Sequence, residues 1–441
     1  MDGPRSAEST VMRRVAFFED SLATNFRPLT WLRPVFELRC GHFTLRERAL
    51  LATSPIEWGA FVRPELVETY REEHRESRVN DDLWLRSGST LLINGRWLPD
   101  PGLLAALTDS QVAICDDTIV AITVDKEEAH VLSSLANWND LLPRLAKHRE
   151  VVPSSGHLAE YPWHLIEANA DQLVQDFRSR RHGASKADLS AQVAVQGRDQ
   201  DVYIDPTAQI DPFVVIDART GPVWIDAGVR LQPFTRLEGP CFVGRDSQLF
   251  RANVREASSI GPVCRIGGEI EGSIIHGYAN KYHDGFLGHS YVCPWVNLGA
   301  LTTNSDLKND YSAVRVPLWG EPLETGSTKV GCFIGDHAKA ALCSLFNTGT
   351  SVGVMSMVLP AGELLPKHLP SFTRLWHGDV EEIADLGSTL ETARIAMSRR
   401  KCMLTPAAER LLQHVFEQTR EERTAAIERL QQRNKDASYL R

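Results

Sequence analysis

Apolar residues recur at every sixth position through residues 201–372, the strongest pattern in the chain. The phased positions are Ile204, Ile210, Ile216, Ile225, Leu231, Leu237, Val243, Leu249, Ile260, Ile266, Ile334, Ala340, Phe346, Val352, Val358 and Leu364. A period of six fits neither an α-helix nor a flat alternating strand and is typical of a hexapeptide-repeat β-helix. A chance series in a β-sandwich is the alternative, and fourteen Ile, Leu or Val among the sixteen positions argue against it.

Three further regions flank the repeats. Residues 11–177 combine short apolar runs with helical patterns such as Asp100–Leu107, which predicts a layered α/β domain. Residues 178–200 are polar without a clear period and predict a linker. Residues 373–441 are rich in Glu, Arg, Ala, Leu and Gln and predict a helical segment that caps the repeats or joins subunits.

Composition narrows the class of protein. The 441 residues are 43% hydrophobic, which supports a sizeable core, and the net charge of -9 argues against a globally basic nucleic-acid binder. The chain has no run of about 18 apolar residues, so no membrane span is expected. The N-terminus lacks the pattern of a secretory signal, and the eight cysteines form no C-x-x-C pair. These features predict a cytoplasmic protein with reduced thiols.

The repeat series is interrupted between about Gly272 and Val330, and three histidines lie in this stretch: His276, His283 and His289. Their separations match no known metal-ligand run. A neutral imidazole can instead act as a general base, taking a proton from an amine or hydroxyl nucleophile. A histidine that hydrogen-bonds the backbone at a corner of the repeat is the structural alternative for each of them.

The residues from His283 onward resemble the acetyltransferase half of the bifunctional UDP-N-acetylglucosamine diphosphorylase/glucosamine-1-phosphate N-acetyltransferase family. In that family a catalytic histidine precedes a substrate-binding asparagine by fourteen positions, and here His283 and Asn297 have that separation. Asn297 begins NLGALT where the family has N-I-G-A-G-T. Three longer phrases resemble an alternative bacterial branch of the family: FEDSLATNFRPLTWLRPVFELRCGHFTLRERA, NKYHDGFLGHSYVCPWVNLGALTTNSDLKNDY and GDHAKAALCSLFNTGTSVG.

The resemblance implies a left-handed β-helix that forms a homotrimer, with acetyl-CoA lying along the outside of the coils. His283 would take the proton from the 2-amino group of an amino-sugar 1-phosphate, and Asn297 would position that amine. Arg255 and Lys308 would hold the sugar phosphate by charge-assisted bonds. Phe286 stands where the family has a tyrosine, which removes one hydroxyl from the substrate site.

The N-terminal region resembles a sugar nucleotidyltransferase less closely. The family's glycine-rich phosphate loop is absent, since no glycine lies between Val11 and Phe36. Arg27 and Arg33 are candidates to hold the phosphates of a nucleoside triphosphate, and Asp20 is a candidate to hold Mg²⁺. In the alternative, to which we give equal weight, Asp20 caps a turn and the two arginines form surface ion pairs.

A glycine- and threonine-rich corner at Thr348 and Gly349 is a candidate surface for acetyl-CoA. The resemblance therefore implies a transferase of nucleotide-sugar synthesis that performs acetyl transfer, with uridylyl transfer from UTP as a candidate second reaction. Two alternatives stay open. One is a nucleotidyltransferase whose β-helix serves only as a trimerisation scaffold, and the other is a non-catalytic trimer that binds a sugar nucleotide.

Overall fold

The computed structural model of the chain describes residues 13–132, 138–180, 189–360 and 362–439. Two compact units divide it. The N-terminal unit contains the chain up to Ala23, Pro34–Phe36 and Leu45–Leu158. The C-terminal unit contains Thr24–Arg33, Glu37–Thr44 and everything from Ala159 onward.

The elements up to residue 179 are short strands and helices. The strands are β1 (Arg14–Phe18), β2 (Arg39–Cys40), β3 (Phe43–Thr44), β4 (Glu57–Phe61), β5 (Arg78–Val79), β6 (Thr90–Asn94), β7 (Trp97–Leu98), β8 (Gln111–Cys115), β9 (Thr118–Val124), β10 (Glu150–Pro153) and β11 (His157–Leu158). The helices are α1 (Leu45–Thr53), α2 (Val67–Glu73), α3 (Asp82–Ser87), α4 (Pro101–Ala106), α5 (Lys126–Val131), α6 (Trp138–Ala146) and α7 (Pro162–Ser179).

A seven-stranded sheet forms the N-terminal unit, in the order β10-β8-β9-β6-β1-β4-β5. Only β9 runs antiparallel to its neighbours β6 and β8. After β1 the chain places β4 and β5 on one side and then returns to place β6 on the other, so the strand order reverses between β1 and β6. The mixed α/β layering predicted from the sequence is confirmed.

The predicted division at residue 177 differs from the observed one at 158. Helix α7 belongs to the C-terminal unit because its Leu173 and Phe177 pack against Trp224 and Phe242. Residues 181–188, part of the predicted linker, lie outside the described residues. The remainder of that linker already includes a strand that pairs with the repeats, Ala194–Gln196.

The repeat region of the C-terminal unit is built from short strands. They are β12 (Ala194–Gln196), β13 (Val202–Ile204), β14 (Gln209–Ile210), β15 (Val215–Asp217), β16 (Val223–Ile225), β17 (Arg230–Leu231), β18 (Arg236–Glu238), β19 (Cys241–Val243), β20 (Gln248–Val254), β21 (Ser258–Ile260), β22 (Arg265–Glu271), β23 (Ile274–Ile275), β24 (Asn280–Lys281), β25 (Phe286–Gly288), β26 (Tyr291–Val292), β27 (Asn297–Leu298), β28 (Thr303–Asn304), β29 (Arg315–Leu318), β30 (Glu321–Glu324), β31 (Phe333–Ile334), β32 (Lys339–Ala340), β33 (Leu345–Phe346), β34 (Ser351–Val352), β35 (Met357–Leu359), β36 (His368–Leu369), β37 (Thr373–Trp376) and β38 (Asp379–Glu382).

Most of these strands stack in parallel, as a β-helix requires, whereas the pairs β29–β30 and β37–β38 are antiparallel. Nine of them form one wholly parallel sheet, from β13 to β36, and a second sheet has fourteen strands. Val223 pairs with Cys241 and Phe333 pairs with Ser351, each eighteen residues or three repeats apart. The phased residues fill a continuous apolar core, in which each strand buries its neighbours.

Two details of the predicted repeat are wrong. Leu364 is 62% exposed and Leu365 is buried in its place, because one extra residue shifts the phase before β36. The stretch Gly272–Val330 is not irregular throughout, since β23 to β28 continue the stack as far as Asn304. Only the later part leaves it, as the antiparallel hairpin of β29 and β30.

Three helices follow the strands: α8 (Leu386–Ser398), α9 (Pro406–Gln418) and α10 (Arg420–Tyr439). The segment predicted to be helical from residue 373 is helical only from Leu386 onward, because Thr373–Trp376 and Asp379–Glu382 are the strands β37 and β38. Leu411, Leu412 and Val415 bury one face of α9, and Phe416 packs edge-on against Phe372 at 5.3 Å. Among the described residues, no helix is both long and apolar enough to cross a membrane.

Candidate functional site

The N-terminal unit has a cavity of about 390 Å³ at the carboxyl ends of β1 and β6. Open α/β sheets bind ligands in the crevice where the strand order reverses, which here lies between these two strands. Asp20, Asn94 and Lys147 supply polar groups to the cavity, and Phe18 and Trp138 supply apolar walls. Its position and lining suit a small molecule with both polar and apolar parts.

Asp20 is held in place by its neighbours at this cavity. Both of its carboxylate oxygens accept hydrogen bonds from Arg96, from Nε at 2.7 Å and from Nη2 at 2.6 Å. Asn94 donates a further bond at 2.9 Å. The guanidinium already occupies the position of a cation, so this arrangement does not fit a Mg²⁺ ion bound by Asp20. The described residues contain no group of three or more acidic, histidine or cysteine side chains that could hold a metal ion.

Arg27 and Arg33, the predicted phosphate ligands, both belong to the C-terminal unit. The guanidinium of Arg27 lies over the rings of Trp31 and Trp319, at 3.6 and 4.5 Å. Arg33 forms a two-point ion pair with Asp336, one bond of which is 3.0 Å, and donates to the carbonyl of Leu29. These contacts give both arginines a structural role.

The three histidines have three different surroundings. His276 is half-buried, and its Nε2 lies 2.7 Å from the carbonyl oxygen of Glu37. Burial, together with the charges of Arg33 and Arg39, holds the pKa of His276 well below its usual value. His276 is therefore a neutral structural residue. His283 is exposed, and no side chain among the described residues hydrogen-bonds to its imidazole.

A buried lysine fixes the backbone at His283. Lys281 points into the apolar interior, where its ammonium donates to the carbonyls of His283 at 2.6 Å and Gly267 at 3.2 Å. Burial lowers the pKa of this ammonium to about 8. Asn280, three residues before His283, donates to the side chain of its strand partner Asn297 at 2.7 Å.

His289 forms a histidine–carboxylate pair that the sequence did not predict. Its Nδ1 lies 2.8 Å from Asp306, and this contact leaves Nε2 available to exchange a proton. Burial alone would raise the pKa of Asp306. The hydrogen bond and charge of His289, together with the nearby charge of Lys329, nevertheless hold this pKa below its usual value. Phe286 lies beside this pair, at Gly288. A Cβ added at Gly288 would lie 2.4 Å from the Phe286 ring and 2.5 Å from the Asp306 carboxylate, so the ring and the carboxylate are close to each other.

Arg255 is surrounded by carboxylates. It pairs with Glu271 and lies 3.8 Å from Glu269 and 3.6 Å from Glu256. Lys329 approaches the other oxygen of Glu271 at 3.0 Å. A sugar phosphate at Arg255 would have to displace or accommodate these anions.

Lys367 is contacted by Thr348 and affected by the charge of Lys308, whose own ammonium donates to Ser312 and to the carbonyl of Ala313. The hydroxyl of Thr348 lies 3.3 Å from the Lys367 ammonium. Burial, followed by the charges of Lys308 and Arg315, lowers the pKa of Lys367. Lys367 has no carboxylate partner among the described residues, whereas the neighbouring Arg315 pairs with Glu324. Gly349 is at φ +65° against the backbone of Arg315, where a Cβ would lie 2.4 Å from a carbonyl oxygen.

Comparison with known proteins finds a similarity in the first part of the chain. Residues 15–185 match the family described as sugar nucleotidyl transferase. A bifunctional sugar-1-phosphate nucleotidylyltransferase/acetyltransferase of Sulfurisphaera tokodaii is 28% identical over 92 residues. The alignment covers 21% of this chain and 23% of that relative.

The structure adds residues that sequence analysis left without a role. The phrase INGRWLP supplies Asn94 and Arg96 to Asp20, and Gly95 permits the close approach of Phe36. The spacing of His289 and Asp306 was an available signal, because residues seventeen or eighteen apart lie on neighbouring strands. Lys147 and Lys367 carried no recognisable pattern.

Proposed function

We propose that this chain is a two-reaction enzyme of nucleotide-sugar synthesis, of the UDP-N-acetylglucosamine type. The C-terminal unit, a left-handed β-helix assembled as a homotrimer, transfers acetyl from acetyl-CoA to an amino-sugar 1-phosphate. The N-terminal unit transfers a uridylyl group from UTP to the sugar phosphate. The observation that carries the proposal is one chain joining a sugar nucleotidyl transferase region to stacked repeats with His283 and Asn297 at the family spacing.

In the acetyl transfer, the neutral 2-amino group attacks the thioester carbonyl carbon. The C–N bond forms, and His283 takes a proton from the nitrogen. The tetrahedral intermediate then collapses, the C–S bond breaks, and the CoA thiolate receives a proton from the imidazolium. Lys281 keeps the His283 backbone in place by its 2.6 Å bond, and the Asn280–Asn297 pair orients the amine. A positioned base contributes about 10²–10⁴-fold in rate.

His289 is a second candidate for the same role. A carboxylate partner at 2.8 Å orients its ring, whereas His283 has none among the described residues. Orientation of the imidazole by a carboxylate is the arrangement that general bases commonly use. The two histidines therefore need to be tested side by side.

The substrate phosphate is best accommodated at Lys308, Lys367 and Thr348. The Thr348 hydroxyl contacts the Lys367 ammonium, the charge of Lys308 acts on it, and no carboxylate among the described residues neutralises Lys367. Arg255 contributes less, because Glu271 already pairs with it. In the nucleotidyl transfer, Lys147 supplies an exposed ammonium for the triphosphate at the cavity beside Asp20.

The test is the release of CoA thiol from acetyl-CoA with glucosamine 1-phosphate as acceptor. Thiol release is expected to depend on the sugar and to fall at least about 100-fold in His283→Gln. His377→Gln, at an exposed histidine, serves as the matched control and is expected to retain activity. A comparable loss in His289→Gln alone would make His289 the base.

Well-folded wild-type protein that releases no thiol with several amino-sugar phosphates would reject acetyl transfer. The repeats would then be a scaffold, and nucleotidyl transfer would be the reaction that is left. Pyrophosphate release from UTP and a sugar 1-phosphate tests that reaction independently.

A further inference from the structure

A second cavity of the N-terminal unit, of about 580 Å³, lies beside β5, the edge strand of the sheet. It is lined by the end of α2 and the turn after it, by β5 and by the start of α3. It shares no described lining residue with the cavity beside Asp20, and neither proposed reaction uses it. The volume is within the range of small-molecule sites.

One part of the lining is cationic. Arg71 crosses the edge of the sheet, where its Nη2 donates to the carbonyl oxygen of Val79 at 2.8 Å. Arg75 is exposed, and within the described part of the chain it forms no ion pair with a carboxylate. Arg78 is 51% exposed and its Nη2 lies 3.5 Å from Glu57, an exposed pair of a kind that contributes little. Arg75 and Arg78 can therefore bind an anion without breaking a strong contact.

Another part of the lining is acidic and held in place. Asp81 begins α3 by accepting a hydrogen bond from the backbone amide of Trp84 at 2.8 Å. Asp82 forms no ion pair with a cation among the described residues. The side chain of Asn80 bonds both the amide and the carbonyl of Val62, at 2.8 and 2.9 Å, which ties this segment to the end of β4.

The two kinds of charge lie within reach of one small molecule. Asp81 follows Arg78 by three residues, and three residues of chain span at most about 11 Å. A simple anion that binds the guanidinium groups would be repelled by the carboxylates, and a simple cation would be repelled by the guanidinium groups. A ligand that carries both charges is attracted by both parts of the lining.

We infer that this cavity binds a small zwitterion, a molecule with a primary amine and either a phosphate or a carboxylate. The anionic group lies against Arg75 and Arg78, whose planar guanidinium groups suit two-point bonds to phosphate or carboxylate. The ammonium group lies against Asp81 and Asp82. Two classes of molecule have this chemistry, an amino-sugar phosphate and a free amino acid. The inference does not depend on either proposed reaction.

The experiment is hydrogen-exchange mass spectrometry of the full chain, read at residues 71–83 because a local readout excludes sites elsewhere. The probes are glucosamine 1-phosphate, L-glutamine and glucose 1-phosphate, which has a hydroxyl in place of the amine. At least one of the two zwitterions is expected to slow exchange there, and the one that acts at lower concentration identifies the ligand class. The concentration needed is expected to rise about tenfold or more in Arg75→Gln and in Asp82→Asn. Lys126→Gln removes an exposed charge from α5 of the same unit and is expected to change nothing.

Unchanged exchange with both zwitterions would overturn the inference. Protection by glucose 1-phosphate equal to that by the zwitterions would overturn it as well, because the amine would then not be recognised. The same holds for protection that is equal in wild type and in both cavity variants. If a variant fails to fold, the contrast between the zwitterions and glucose 1-phosphate on wild type decides the question. Failure of acetyl transfer is read separately, from thiol release, and leaves these outcomes unaffected.

Discussion

The ion pair between Arg33 and Asp336 allows a quantitative test of the structure. The Asp336 side chain is 1% exposed and that of Arg33 is 12% exposed. Asp336→Asn keeps the shape but removes the negative charge, which leaves an enclosed guanidinium without its counter-ion. Breaking a buried pair in this way costs about 3–5 kcal/mol, whereas an exposed pair is worth about 0.2–1 kcal/mol. We expect Asp336→Asn to fall in the higher range.

The assay is a double-mutant cycle with Asp336→Asn, Arg33→Met and the double variant. Since the chain has two compact units, opening free energies are read from native-state hydrogen exchange of C-terminal strand amides rather than from one global transition. The double variant is expected to cost clearly less than the sum of the singles, because it removes the unpaired charge. Additive single losses below about 1 kcal/mol would refute the reasoning. If Arg33→Met instead weakened UTP binding at unchanged stability, the phosphate role would be restored.

Three further predictions follow from buried charges. Arg96→Met leaves the carboxylate of Asp20 without its counter-charge. It is expected to destabilise the N-terminal unit by about 3–5 kcal/mol in thermal unfolding. An unchanged melting temperature would contradict the pairing. Wild type is expected to lose stability as the pH falls below about 4, because the pKa of Asp306 is lowered by His289, and Asp306→Asn should lack that part of the acid dependence. Because the pKa of Lys281 is about 8 when folded, unfolding titrations should show stability rising by up to about 3 kcal/mol between pH 8 and 10.5, and Lys281→Met should lack this rise.

The repeat architecture was predictable because its signal is periodic. One inward position in six is apolar, and fourteen of the sixteen phased positions are buried in the observed core. Leu364 was misplaced because one added residue changes the phase without changing the composition. The apolar series is interrupted after Gly272 although the strands continue, because Lys281, a charged residue, occupies an inward position there.

The site was less predictable because its contacts join residues far apart in the chain. Arg33 lies in an arginine- and proline-rich phrase that is compatible with phosphate binding, and only the fold brings Asp336 to it. In the same way, only the fold brings the carboxylate of Glu271 to Arg255. His283 and Asn297 were identified by resemblance, whereas the His289–Asp306 pair required knowing which strands are neighbours.

The most direct test of the two-reaction proposal follows both products in one mixture. Purified chain is incubated with glucosamine 1-phosphate, acetyl-CoA and the magnesium salt of UTP, and CoA thiol and pyrophosphate are measured together with the nucleotide sugar. The proposal predicts that both are released and that thiol release falls at least about 100-fold in His283→Gln. Release of neither product, or of pyrophosphate alone from folded wild-type protein, would contradict it.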